Sequence, residues 1–247
     1  MSHRRSVIIE QTGCKILLVG DSRCGKSSLL KVFVKESFTE VYVPTIFDNS
    51  TASFEVEKYR IDLSLWDTSG CTEYDNVRPL SYTETDCVVV CYDISVPESL
   101  DNVVDKWFPE VRRCGSAGIP IILVGCKMDL RNDIHTITEL AQKRQITLTH
   151  EKGIQVAKQI GAAAFVECSA KNSRSSVNEL FEIATLSSLG KLSLHKSLKG
   201  LPSHTRSLSF RRKKSTGDLT HHKLRVKSTV LQTSTDSSKL NKSCVVM

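Results

Sequence analysis

The chain of 247 residues is 40% hydrophobic, which is enough to build the core of one large or two small domains. Its formal net charge of +7 is unevenly placed, because residues 191–247 hold 13 of the 34 Lys and Arg but 2 of the 27 Asp and Glu. Such a basic tail on a mildly acidic body predicts an anionic partner, either a membrane or a nucleic acid. The nine cysteines are odd in number and irregularly spaced, which argues against a disulfide framework, and they show no zinc-ligand spacing.

Residues 1–13 are interpreted as a short N-terminal extension without a targeting signal. The stretch Met1–Arg5 has no long apolar segment, and Ser2 stands where N-myristoylation requires Gly. No apolar run approaches the ~20 residues of a membrane span. We therefore expect a protein of the reducing cytosol.

The first predicted strand, residues 15–19, leads into a loop that fits the pattern Gly-x-x-x-x-Gly-Lys-Ser/Thr, and a helix is predicted from Ser28 to Lys35. In such a loop the backbone N–H groups and the helix N-terminus face a phosphate. Lys26 would reach the terminal phosphates, and the Ser27 hydroxyl would ligate Mg²⁺. The predicted nucleotide contacts of this segment are Ser22, Arg23, Cys24, Gly25, Lys26, Ser27 and Ser28.

The remaining pattern predicts an α/β fold with a mostly parallel six-stranded sheet flanked by helices. Residues 38–49 are predicted as a loop, 51–59 and 60–66 as a hairpin with alternating apolar residues, and 67–70 as a turn. Continuous apolar runs predict buried strands at 86–93, 119–125 and 163–168, with Cys87, Cys91 and Cys126 as small core residues. Helices are predicted at 97–112, 151–160 and 176–189, with an inserted surface helix at about 134–147.

Two later motifs indicate which base the nucleotide carries. Gly125–Asp129 and Glu167–Lys171 each close a predicted strand, and the carboxyl ends of parallel strands are where open α/β sheets bind ligands. The two segments resemble the guanine-specifying motifs of small GTPases, (Asn/Thr)-Lys-x-Asp and Ser-Ala-Lys. This resemblance implies that the Asp129 carboxylate accepts hydrogen bonds from the N1–H and 2-amino groups of guanine, which adenine lacks, and such a site can discriminate by ~10⁴ or more. The predicted base contacts are Lys127, Asp129, Ser169, Ala170 and Lys171.

From residue 14 to about residue 190 these motifs, in this order, resemble the small GTPases of the Ras superfamily, which implies the P-loop NTPase fold, GTP and Mg²⁺. The resemblance implies that Phe38 packs on guanine, that Thr45 ligates Mg²⁺ and bonds the γ-phosphate, that Asp67 holds Mg²⁺ through water, and that the Gly70 N–H faces the γ-phosphate. The inserted helix and the run 74–80 are similar to the Rho family. The implied effector segment is Tyr42, Val43, Pro44, Thr45, Ile46, Phe47, Asp48 and Asn49.

Three departures from the active pattern predict very weak or absent hydrolysis and no catalytic residue. Ser22 replaces the Gly that leaves room for an arginine finger, Cys71 replaces the Gln that orients the attacking water, and Ser69 replaces Ala. In active relatives the orienting Gln and the arginine finger together supply ~10⁵ in rate. The pattern is similar to the Rnd subgroup, Rho relatives that stay loaded with GTP. The alternative is a slow but regulated GTPase that cycles.

The tail, residues 191–247, is predicted to be disordered, because it is rich in Ser, Thr and basic residues and nearly free of aromatics. It ends in Cys244-Val245-Val246-Met247, a farnesylation motif, with the basic run 211–214 upstream as a second membrane signal. Nucleic acid is not expected as a partner, since no aromatic residues are interleaved with that run. Candidate phosphosites beside it are Ser207, Ser209 and Ser215.

Together these features predict a GTP-binding signalling protein at the cytoplasmic face of the plasma membrane, partly cytosolic, that presents its switches to effectors. The resemblance implies control of the actin cytoskeleton and adhesion, with RhoGAPs, Rho-associated kinase and plexins as partners. The phosphorylated tail would fit Arg-cluster phosphopeptide readers of the 14-3-3 type.

Overall fold

The protein is built on a twisted sheet whose central strands are parallel, as seen in a computed structural model that describes residues 10–56, 59–190, 211–213 and 244–246. Six strands of the domain lie in the order β2-β3-β1-β4-β5-β6, and only the β2–β3 hairpin is antiparallel. This confirms the predicted six-stranded, mostly parallel sheet. The strands are β1 (Glu10–Gly20), β2 (Phe47–Val56), β3 (Tyr59–Thr68), β4 (Cys87–Asp93), β5 (Ile121–Cys126) and β6 (Ala164–Glu167).

Helices cover both faces of the sheet, as the alternation of apolar runs and helical spacing predicts. Leu29 and Phe33 of the first helix pack with Phe181 of the last helix on one face, and Leu100 and Val111 pack on the other. The predicted core positions Cys87, Cys91 and Cys126 are buried. The helices are α1 (Lys26–Lys35), α2 (Pro97–Asn102), α3 (Phe108–Cys114), α4 (Ile134–Gln142), α5 (His150–Gln159) and α6 (Arg174–Leu189).

Helices α2 and α3 are one helical segment interrupted by a π turn at Val103–Trp107. Within it the N–H of Phe108 bonds to the Val103 carbonyl, five residues back, where an α-helix would bond four back. The sequence predicts a single regular helix here, because apolar periodicity does not reveal one extra residue in a turn. The π turn lies under the phosphate loop, where Trp107 contacts Asp21.

Several boundaries differ from the sequence-based expectation, among them the start of β1, which lies at Glu10 and not at residue 15, and two of the differences have a local reason. Strand β2 begins at Phe47, inside the predicted loop, because β3 extends to Thr68 and pairs with Phe47. Helix α4 ends at Gln142, five residues before the predicted boundary. There Arg144 has a left-handed backbone (φ 56°), and the N–H of Gln145 returns to the Leu140 carbonyl at 2.8 Å.

Two short segments of the tail extend the sheet at its edges. Strand β7 (Arg211–Lys213) is antiparallel to β2, and β8 (Cys244–Val246) is antiparallel to β6. Edge strands present unpaired N–H and C=O groups that any extended segment can bond. The candidate phosphosites Ser207, Ser209 and Ser215 lie outside the described residues, and no helix within the described ranges is long and apolar enough to cross a bilayer.

Candidate nucleotide-binding site

A cleft of about 750 Å³ opens at the carboxyl ends of the central strands, where the order of the sheet reverses around β1. Its volume is within the usual range for a small-molecule or cofactor site. Two predicted contacts, Cys24 and Ser169, are buried behind its wall. The predicted nucleotide contacts that line the cleft are Ser22, Arg23, Gly25, Lys26, Ser27, Ser28, Phe38, Thr45, Gly70, Lys127, Asp129, Ala170 and Lys171.

The phosphate loop is held in shape by its own lysine. The buried Lys26 ammonium donates to the carbonyls of Gly20 and Asp21, both at 2.7 Å. Gly25 precedes α1 with φ 119°, a conformation that disfavours any side chain, and a Cβ there would also lie 3.2 Å from the Cβ of Cys126. Loop and helix N-terminus therefore form the concave N–H surface that an anion requires.

Three oxygen ligands suited to Mg²⁺ meet at the start of α1. The hydroxyls of Ser27 and Thr45 lie 2.9 Å apart. The Asp67 side chain is buried beside them, and its Oδ1 has no hydrogen-bond partner in the described part of the chain. Burial raises the pKa of Asp67, although a hydrogen bond from Ser27 and the charge of Lys26 oppose this. A hard cation with oxygen ligands fits this set, because it would compensate the buried carboxylate.

The predicted base contacts Lys127 and Asp129 are fixed by polar contacts behind the cleft. The buried Ser169 hydroxyl donates to Asp129 Oδ1 at 2.5 Å, which leaves the rest of that carboxylate able to face a base. Lys127 has a left-handed backbone (φ 59°), and its ammonium lies 2.6 Å from Asp93 Oδ2. Asp93 is not among the residues predicted from the sequence, although its place as the last residue of a buried strand is a signal for a site at that edge.

The first switch segment, residues 38–46, closes over the cleft through two charged contacts. The Arg23 guanidinium lies over the Tyr42 ring at 4.7 Å. Across the cleft, Lys171 Nζ lies 2.8 Å from Glu40 Oε1, and this contact raises the pKa of Lys171 and lowers that of Glu40. Glu40 was not singled out from the sequence, and nothing local marks it. The predicted effector residues exposed on the outside are Tyr42, Val43, Pro44, Ile46, Phe47, Asp48 and Asn49, with Thr45 half-buried.

The second switch segment, residues 69–82, packs directly on the phosphate loop. A Cβ at Gly70 would fall 2.3 Å from the Ser22 nitrogen, so only Gly permits this approach. Cys71 lines the cleft next to it, and its N–H donates to Ser69 Oγ at 3.2 Å. A thiol therefore stands beside Gly70 on the cleft wall.

Fold and site together are those of a P-loop nucleotide-binding switch protein, and residues 15–189 match the Ras family. The chain is 54% identical over 179 residues to the human Rho-related GTP-binding protein RhoE, with 72% of each chain covered. It is 51% identical over 175 residues to the GTP-binding protein RHO1 of Candida albicans and to that of Saccharomyces cerevisiae. Each of these two alignments covers 71% of this chain, and they cover 87% of the Candida albicans protein and 83% of the Saccharomyces cerevisiae protein. The chain therefore belongs to the Ras family of small GTPases, in its Rho branch and the Rnd subgroup.

Proposed function

We propose that this chain is a membrane-anchored signalling protein that binds GTP and Mg²⁺, remains mainly GTP-loaded, and presents its switches to effectors of the actin cytoskeleton and cell adhesion. The observation that carries the loaded state is the Cys71 thiol beside Gly70 on the cleft wall. A thiol is a weak hydrogen-bond donor and acceptor, so it does not hold a water in line for attack.

Ser22 supports the same conclusion from the phosphate loop. Its backbone touches the Gly70 position, and its exposed side chain stands at the cleft mouth, where an incoming arginine would approach. Loss of water orientation and of the arginine together accounts for terms worth ~10⁵ in rate. Binding residues without hydrolytic residues define a binding module in the fold of an enzyme.

Membrane anchoring rests on the sequence of the tail. The motif at Cys244 and the basic run 211–214 provide a lipid and a charge signal, and stable anchoring takes two such signals. Relatives named Rho-related GTP-binding proteins support a signalling role with effector partners. The chemistry of the exposed segment 42–49, apolar with one carboxylate, suits protein partners.

The second candidate is a slow GTPase that cycles, since the groups of Lys26, Ser27 and Thr45 predicted to hold phosphate and Mg²⁺ are ones that a hydrolase also needs. The nucleotide bound to freshly purified protein separates the two candidates: GTP supports the loaded module and GDP the cycling enzyme. Single-turnover assays should then show GTP persisting for many hours, with or without a RhoGAP. A large acceleration by any RhoGAP would contradict the proposal.

A further inference from the structure

The carboxylate of Asp21 in the phosphate loop is held from one side by two donors of the same helical segment. Asn102 Nδ2 donates to Asp21 Oδ2 at 2.8 Å, and Trp107 Nε1 donates to Asp21 Oδ1 at 2.7 Å. Both oxygens of one charged group are thus bound by neutral donors, and hydrogen bonds to charged groups are the stronger kind. We call Asn102 and Trp107 the donor pair.

The π turn is what brings the donor pair to one carboxylate. Asn102 and Trp107 are five residues apart, and in a regular α-helix such residues point about 140° away from each other. In the π turn at Val103–Trp107 each backbone hydrogen bond spans five residues instead of four. Trp107 therefore returns to nearly the same face of the helix as Asn102. Single π turns inside helices are frequent at functional sites.

Trp107 also contacts the second switch segment. Its indole is fully buried, and the Arg78 guanidinium lies 4.5 Å from the ring centroid. Arg78 in turn donates to the Ser69 carbonyl at 2.9 Å and makes two bonds to Glu110, at 2.7 and 2.6 Å. The Trp107 side chain therefore joins the phosphate loop, through Asp21, to the second switch segment, through Arg78.

Asp21 also connects the donor pair to the phosphate site. Its carbonyl accepts from Lys26 Nζ at 2.7 Å, and its neighbour Ser22 lies against Gly70. A shift of Asp21 would move the lysine and the loop together, and misplacement of a positioning contact by about 1 Å is costly in such sites.

We propose that Asn102 and Trp107 are positioning residues that fix the phosphate loop through Asp21, couple it to the second switch segment through Arg78, and so slow the release of the bound guanine nucleotide. The inference rests on the proposed function in one respect: a chain with little hydrolysis stays loaded only as long as release is slow. Release of GDP involves no hydrolysis, so it tests the inference separately.

The test measures release of fluorescent GDP from the full chain in Mg²⁺ and excess unlabelled GDP. Trp107→Phe keeps an aromatic ring for Arg78 and removes the indole N–H, although the smaller ring also leaves a gap at this buried position, and Asn102→Leu removes the other donor. Each should speed release by about tenfold or more, the equivalent of one hydrogen bond to a charged group. The matched control is Trp66→Phe at the other tryptophan, whose indole donates to Ser64 at 2.8 Å and does not contact Asp21. Its release rate should equal that of the wild type.

A double-mutant cycle with Asp21→Ala separates positioning from general loosening. Because the donor pair acts through the carboxylate, Trp107→Phe should add little once Asp21 is Ala. Equal acceleration in both backgrounds, or unchanged release in Trp107→Phe and Asn102→Leu, would overturn the inference. Rapid GTP hydrolysis with the expected release rates would instead refute the proposed function and leave this inference standing.

Discussion

The guanidinium of Arg23 lies 4.7 Å from the ring centroid of Tyr42, so the phosphate loop and the first switch segment are joined by a cation–π contact. Arg23 has a left-handed backbone (φ 66°), which turns its side chain toward the switch, and both residues are exposed. Exposed contacts of this kind are worth about 0.5–1 kcal/mol. Closure of the first switch segment thus depends in part on Arg23, a residue of the phosphate loop.

Arg23→Ala should open the first switch segment more often. We expect about two- to fivefold faster GTP release and faster proteolysis within residues 38–46, from the loss of about 0.5–1 kcal/mol. Arg60→Ala is the matched control, because Arg60 pairs with Asp62 on the hairpin and does not line the cleft. Equal rates of proteolysis in the two variants would contradict the prediction that Arg23 helps to hold the first switch segment closed.

Restoring hydrolysis should require two changes. Cys71→Gln alone should recover little, because the Ser22 side chain still stands at the cleft mouth, and Ser22→Gly alone lacks a group that orients water. In single-turnover assays with RhoGAP, the double variant should exceed the combined gain of the two single variants. A strictly additive result would show that the two positions act independently.

Asp129→Asn should shift base preference from guanine toward xanthine nucleotides. The Ser169 hydroxyl already donates to Oδ1, so an amide there keeps its oxygen toward Ser169 and turns its NH₂ toward the base. That NH₂ can donate to the 2-oxo group of xanthine. Competition binding with GTP and xanthosine triphosphate measures the shift, with Asp133→Asn, the N-cap of α4, as the control. Unchanged preference would mean that Asp129 does not contact the base.

Stability should depend on pH through Glu182 of α6. Its side chain is buried, and burial, with the nearby charge of Glu179, raises its pKa to about 7, above the value near 4.5 of an unfolded chain. The folded state therefore favours the protonated form, and its stability falls as pH rises from about 4.5 through about 7. Glu182→Gln should raise the Tm at pH 8 and change it little at pH 4.5.

The exposed Glu139 of α4 supplies the control for this measurement. Glu139→Gln should leave the pH dependence of the Tm as in the wild type. A Glu182→Gln variant whose Tm rises equally at both pH values would attribute the gain to packing rather than to the charge.

The tail should act as an electrostatic switch. Four adjacent basic residues, 211–214, contribute about 1 kcal/mol each at an anionic leaflet, close to a thousandfold in partitioning. Two phosphates of −1.5 to −2 charges each would cancel most of that attraction. Imaging should show that the triple variant Ser207→Glu, Ser209→Glu and Ser215→Glu becomes cytosolic, as Cys244→Ser does. If the triple variant stays on the membrane while Cys244→Ser does not, the lipid alone anchors the protein.

The strands and motifs were predictable because their signals are local. A continuous apolar run such as 86–93 predicts a buried parallel strand when helical segments lie between such runs. Lys26 and Asp129 belong to patterns with fixed spacing. The Glu40–Lys171 pair was not predictable, since it forms only when a loop closes across the cleft. The π turn was missed for a related reason: Asp21 and Arg78, remote in sequence, set where Trp107 must point.

The reactivity of the native cysteines can report when the nucleotide cleft opens. The cysteines from Cys14 to Cys168 form no disulfide, and burial raises the pKa of Cys24, a residue of the phosphate loop, to about 12. The pKa of Cys126 is also raised, by a hydrogen bond with Cys91 and by burial, whereas Cys71 and Cys114 are partly exposed. Thiolate is the nucleophile that attacks alkylating reagents, so the partly exposed pair should be labelled first. Labelling of Cys24 and Cys126 should follow later, when the phosphate loop separates from Cys126 at the end of β5, so native thiols report that opening without an engineered residue.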